Sequence, residues 1–161
     1  MYPLYALCTM HSMTSFTKYE NFFDDDEHYY LSMEHGGSDL FDFIIEAHEL
    51  IEAKKLRIKE WRKFSKYLFW QMIVVTQWLH NDMGIAHLDI SLENILIKHG
   101  TFVEVQDGDE TVFSINSNVQ IKICDFGLAE MFERDPVSKE RSFECTKFCG
   151  KTNYKAPEVW H

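Results

Sequence analysis

Apolar and polar positions alternate along this chain in two distinct periods. Between residues 17 and 33, the stretches TKYENFF and HYYLSM are aromatic and β-prone, and the acidic run Asp24, Asp25, Asp26, Glu27 separates them. That pattern predicts an antiparallel hairpin. Gly36 and Gly37 then break the strand, Ser38 or Asp39 stands where a cap belongs, and LFDFIIEAHELIEAKKL follows with helical spacing. A helix is expected there, broken once at most. From Glu60 onward Trp61, Phe64, Leu68, Met72, Val75 and Leu79 recur at intervals of three and four, while Phe69, Trp70, Ile73, Val74 and Trp78 fill much of the opposite face. The expectation is a long helix buried on all sides.

Asn81 to Gly84 ends that helix, and IAHLDISLENILI leads into a short apolar strand at 95 to 97, matched by a second at 119 to 124. Between them, VEV and TVF flank a QDGDE turn of the kind that closes a hairpin. After Gly127 the sequence is charged and mixed, and Pro136 suits a helix poorly. A long connecting segment is expected there.

Composition narrows the classes. With 161 residues, 45% hydrophobic and 15% aromatic, the chain can bury one core, as a single domain or part of one. Its net charge of −10 and lack of a basic run argue against a nucleic-acid partner. No apolar run approaches the roughly 20 residues of a bilayer span, and no secretion signal opens the chain. Cys8, Cys124, Cys145 and Cys149 are scattered, which fits a reducing, intracellular (cytoplasmic) setting. Cys145 and Cys149 alone make only half a zinc site.

Three motifs occur in order: HLDISLEN at 87 to 94, DFG at 125 to 127 and APE at 156 to 158. Each is a plausible turn or cap by itself. Together, with a buried helix before the first and a strand between the first and second, they resemble the H-R-D-x-x-x-x-N, D-F-G and A-P-E set of eukaryotic-type protein kinases. The resemblance implies an α+β, partial protein-kinase-like fold: a small-lobe remnant at 1–33, a hinge at 34–39, and a partial large lobe at 40–161. That lobe would hold an inserted hairpin at 98–118 and an activation segment at 125–158.

The family's chemistry is phosphoryl transfer by positioning and charge neutralisation, so the resemblance implies ATP and Mg²⁺ as cofactors and a protein Ser/Thr hydroxyl as acceptor. Asp89 would orient that hydroxyl, while Asn94 and Asp125 would hold the metal through hard oxygens. Met33, Glu34 and His35 would line the adenine from the hinge, Asp39 would meet the ribose, and Leu96 would pack beneath the ring. His87 and Phe126 resemble two members of the stacked column between lobes, with no proton chemistry for the histidine.

The match has gaps. No glycine-rich loop, strand lysine or helix glutamate precedes the hinge, and the chain stops three residues after Glu158. A truncated kinase is expected, inactive by itself, and the competing function is a pseudokinase or regulatory module that binds a partner protein. Leu88 stands for the usual arginine, which implies independence from activation-segment phosphorylation. Ser91 stands for the usual lysine and Lys151 for the usual threonine. The exchange suggests that Lys151 reaches Asp89 within about 4 Å, the ion-pair limit, and restores positive charge near the phosphoryl group.

Overall fold

The computed structural model describes residues 14–116, 118–134, 141–142 and 150–157. Cys8, Cys145, Cys149, Glu158 and residues 135–140 and 143–149 of the expected activation segment lie outside them. Strands β1 (Tyr19–Asp24) and β2 (Tyr29–Met33) pair antiparallel, with Asp24 opposite Tyr29. The turn is held by the Asp25 carboxylate, which accepts from the Glu27 and His28 N–H groups and from the Tyr30 hydroxyl. Aromatic pairs Phe22–Tyr29 and Phe23–Tyr30 stack across the ladder, yet nearly all of it is exposed.

The core sheet has the order β3 (Ser38–Asp39), β5 (Ile95–Lys98), β8 (Gln120–Ile123), all antiparallel. Helix α1 (Leu40–Glu52) starts directly from β3, because the Asp39 carboxylate accepts the Asp42 N–H at 2.9 Å and caps the first turn. Its buried residues, Leu40, Phe43 and Ala47, fall on one stripe. Helix α2 (Ile58–Trp78) buries Phe64, Leu68, Gln71 and Val75, and a π-helical turn at Leu79–Met83 continues it. Gly84, at φ 69°, closes that turn in the left-handed conformation glycine favours.

One expectation fails here. Helix α2 is not enclosed: Phe69 is 62% exposed, Ile73 50% and Trp70 49%. Phe64, Leu68 and Val75 join the core cluster and Trp61, Met72 and Trp78 pack against it, while no described element covers Phe69, Trp70 and Ile73.

Between β5 and β8 the chain forms an antiparallel hairpin, β6 (Phe102–Asp107) with β7 (Glu110–Ile115). It is anchored to the linker between α1 and α2. The Phe113 N–H donates to Lys55 O at 2.7 Å, and Arg57 pairs with Asp107. Short strand β4 (Ile85–Ala86) pairs with β9 (Glu130–Met131), fastening the chain after DFG to the chain before His87.

Candidate active site

The turn after β4 must reverse direction over few residues, and Leu88 does so at φ 65°, a strained value for a leucine. His87 is buried, and its ring is held on both sides. Nε2 lies 3.0 Å from Cys124 O, and the Asp89 N–H donates to Nδ1 at 3.3 Å. Those partners require a neutral ring with its proton on Nε2. Burial pushes the His87 pKa down, outweighing the nearby carboxylates of Asp89 and Asp125, which agrees with that state. Phe126 packs on the same ring at 4.7 Å, followed by Phe16 at 5.7 Å and Trp78 at 5.4 Å from Phe16.

A 3-10 turn, Leu92–Asn94, follows the half-buried Asp89. Asn94 is buried, and its Nδ2 donates to both the backbone O and the Oδ2 of Asp89, each at 2.9 Å. Two acceptors fix which end of the amide is nitrogen and leave Oδ1 for another partner.

Cys124 then joins the two halves. Its N–H donates to Asn94 O at 3.1 Å while its carbonyl accepts from His87. The next residue, Asp125, is exposed, sits at φ 61°, and takes the Gly127 N–H on Oδ1 at 3.2 Å. Burial, with Asp125 and Asp39 nearby, pushes the Cys124 thiol pKa up, so it stays protonated and unreactive.

A hard cation fits this donor set: the Asn94 Oδ1 and the Asp125 carboxylate are oxygen ligands on adjoining strand ends. Among the described residues no group of three or more His, Cys, Asp or Glu gathers. A cation here would therefore depend on other oxygens, as Mg²⁺ does when it bridges phosphates.

Of the hinge candidates, Asp39 lies beside Leu96, as does Gly36. Strand β3 sets Asp39 opposite Leu96, and Gly36 lies so close that an added Cβ would come 2.3 Å from Leu96 Cδ1. Met33 and His35 are exposed. Glu34 has a role that the sequence did not disclose. Its carboxylate pairs with the buried Lys122, with Lys98 at 3.2 Å, and with the Lys18 N–H at 3.1 Å. The Lys122 ammonium above all holds the Glu34 carboxyl down at about 2.

Lys151 does not do what was expected. Its ammonium is 3.0 Å from the buried Ser91 Oγ and 3.2 Å from Glu93 Oε2, and among the described residues it makes no ion pair with Asp89. Glu93 is exposed in the 3-10 turn and offers a second, closer-lying anion, which a four-carbon side chain entering from Gly150 meets first.

The family model of the protein kinase domain matches residues 6–161, so the chain belongs to the protein kinase domain family. Among curated relatives, the Saccharomyces cerevisiae serine/threonine-protein kinase RAD53 is 33% identical over 87% of this chain and 13% of its own length. The serine/threonine-protein kinase PSK2 of the same yeast is 28% identical over 96% of this chain and 11% of its own. This chain thus spans a small part of those proteins. A crystal structure of a kinase domain superposes with TM-score 0.60 over 97% of this chain and 45% of that one, at 20% identity, and shares the fold.

Proposed function

We propose that this chain is the central part of a protein serine/threonine kinase that transfers the ATP γ-phosphoryl group to a protein hydroxyl. The observation that carries the reading is the double tether of Cys124, to Asn94 and to His87, which brings Asp125 to the turn holding Asp89. Asp89, kept in place by Asn94, accepts a hydrogen bond from the acceptor hydroxyl and orients it. Asn94 Oδ1 and Asp125 would hold Mg²⁺, which when bound would neutralise the phosphate charge. Leu96 and the hinge residues Met33, Glu34 and His35 line the adenine side, with Asp39 toward the ribose. No helix among the described residues is long and apolar enough to cross a membrane.

The test is a kinase assay on the longest gene product containing these residues. Asp89→Asn or Asp125→Asn should each lower kcat by at least about 10²-fold, since such groups act as a unit. A second reading, a pseudokinase or regulatory module, is favoured by the diversion of Lys151 from Asp89 to Glu93. Nucleotide binding without turnover in that same product would select it.

A further inference from the structure

We propose that Lys151 is a positioning residue: with Ser91 and Glu93 it closes a polar ring that fixes the end of the activation segment on the turn carrying Asn94. The inference deepens the kinase reading and rests on it only for the metal arm of the test below.

Three contacts define the seat. Gly150, at φ 81°, lies against the Leu88 carbonyl so closely that an added Cβ would stand 2.7 Å from that oxygen. Lys151 Nζ donates to Ser91 Oγ and reaches Glu93 Oε2. Beyond the lysine, the Tyr154 N–H returns to Lys151 O at 2.9 Å, so a short turn at Thr152–Tyr154 holds the lysine backbone from the other side. Residues 150 and 151 thereby touch the catalytic turn at Leu88, Ser91 and Glu93, on both sides of Asp89 in sequence.

Ser91 makes the seat more than a surface ion pair. Lys151 and Glu93 are each about two-fifths exposed (42% and 44%), and such pairs contribute little by themselves. Ser91, by contrast, is 1% exposed, and its backbone carbonyl accepts the Asn94 N–H at 3.1 Å. The residue that receives Lys151 is therefore the one that closes the 3-10 turn, and Asn94 at the end of that turn holds Asp89 by two hydrogen bonds. Contact passes from Lys151 through Ser91 and Asn94 to Asp89. Lys151 thus has two anchors on the turn, the Ser91 hydroxyl and the Glu93 carboxylate.

Charge supply and positioning predict opposite results with a divalent cation. If Lys151 acted only as a nearby positive charge, its removal would favour a cation at Asn94 and Asp125 by Coulomb's law. If it positions the turn, its removal disorders Asn94 and disfavours the cation. The experiment uses residues 1–161 with Lys151→Met, Lys151→Arg, Glu93→Gln and the double variant Lys151→Glu, Glu93→Lys. Amide exchange at Asn94 is measured against Ile121 as a reference in the core strand, and Mn²⁺ affinity is measured by electron paramagnetic resonance.

Lys151→Met is expected to speed Asn94 exchange about tenfold with Ile121 unchanged, and to weaken Mn²⁺ several-fold. Lys151→Arg should retain both properties, and the charge-exchanged double variant should recover much of the protection. Asn94 exchange unaltered in Lys151→Met, or Mn²⁺ bound more tightly, overturns the proposal. Should the unsubstituted chain bind Mn²⁺ no better than Asp125→Ala, the metal reading fails, and the exchange comparison alone still decides the role of Lys151.

Discussion

Gln71 lies in the middle of α2, fully buried, and spans the gap to the strand that leads to Asp125. Its Oε1 accepts the Ile121 N–H at 3.1 Å and its Nε2 donates to Val119 O at 3.3 Å. The side chain thus satisfies two backbone groups on the outer edge of β8. Replacement by methionine, of similar length and shape, keeps the volume and removes both bonds. Each orphaned buried group costs about 1–3 kcal/mol, and the apolar side chain returns about 1 kcal/mol. Gln71→Met should therefore destabilise by about 1–5 kcal/mol, centred near about 3 kcal/mol, on these two rules. With a urea slope of about 2 kcal/mol per molar, the central loss of about 3 kcal/mol lowers the midpoint by roughly 1.5 M at unchanged slope. Gln77→Met, at an exposed position of the same helix, should stay within about 0.5 kcal/mol. If the two variants unfold together, the bonds to Ile121 and Val119 do not hold β8 on α2.

Three further outcomes follow from the contacts described. The Glu34 carboxyl is held at about 2, while in the unfolded chain it titrates near about 4.3. Between those values the unfolded state binds a proton that the folded state refuses, so the stability it lends is complete above about pH 4.5 and is lost as pH falls toward 2. On the order of 2 kcal/mol is at stake after solvent screening; Glu34→Gln should flatten the pH 3 to pH 6 difference in urea midpoint, and an unaltered difference would refute the pairing with Lys122. Gly37, at φ 95°, has Ile97 O only 2.2 Å from where a Cβ would stand, so Gly37→Ala should cost more than about 2 kcal/mol and show in the thermal midpoint. In the longest gene product, Asn94→Ala should lower kcat about as far as Asp125→Ala does, and the pair together little further; additive losses would mean the two residues act separately.

Much of the architecture was legible because periodicity and turn chemistry agree. The β1–β2 and β6–β7 hairpins, the Asp39 cap and both long helices follow from alternation, an acidic or Gly-containing turn, and spacing by three and four. The environment of α2 was not, since an apolar face says that it can be covered and not what covers it. Within α2, the stripe 64, 68, 71, 75 contains a glutamine where a leucine would be expected, and that is a readable sign of a buried polar partner. Lys122 gave a similar sign, as a lysine at a buried place in the strand QIKI. Motif order singled out Asp89, Asn94 and Asp125 as candidates, but it could not rank two anions competing for one lysine. Asp89 and Glu93 are four residues apart in sequence, and only the path of the chain at Gly150 decides which of them Lys151 meets.

The hairpin β6–β7 has a practical consequence. At its tip Gly108, at φ 65°, faces open space, with nothing within 4 Å of an added Cβ, while the neighbouring Asp107 is paired with Arg57 and Phe113, midway along β7, is tied to Lys55. Lengthening a loop costs only slowly rising entropy, so this tip can accept a peptide tag, a fluorophore or a second folded module. Two reporters, one at the hairpin tip and one on the exposed β1–β2 ladder, would turn rearrangement of the polypeptide between them into an optical distance signal while leaving Asp89, Asn94 and Asp125 untouched.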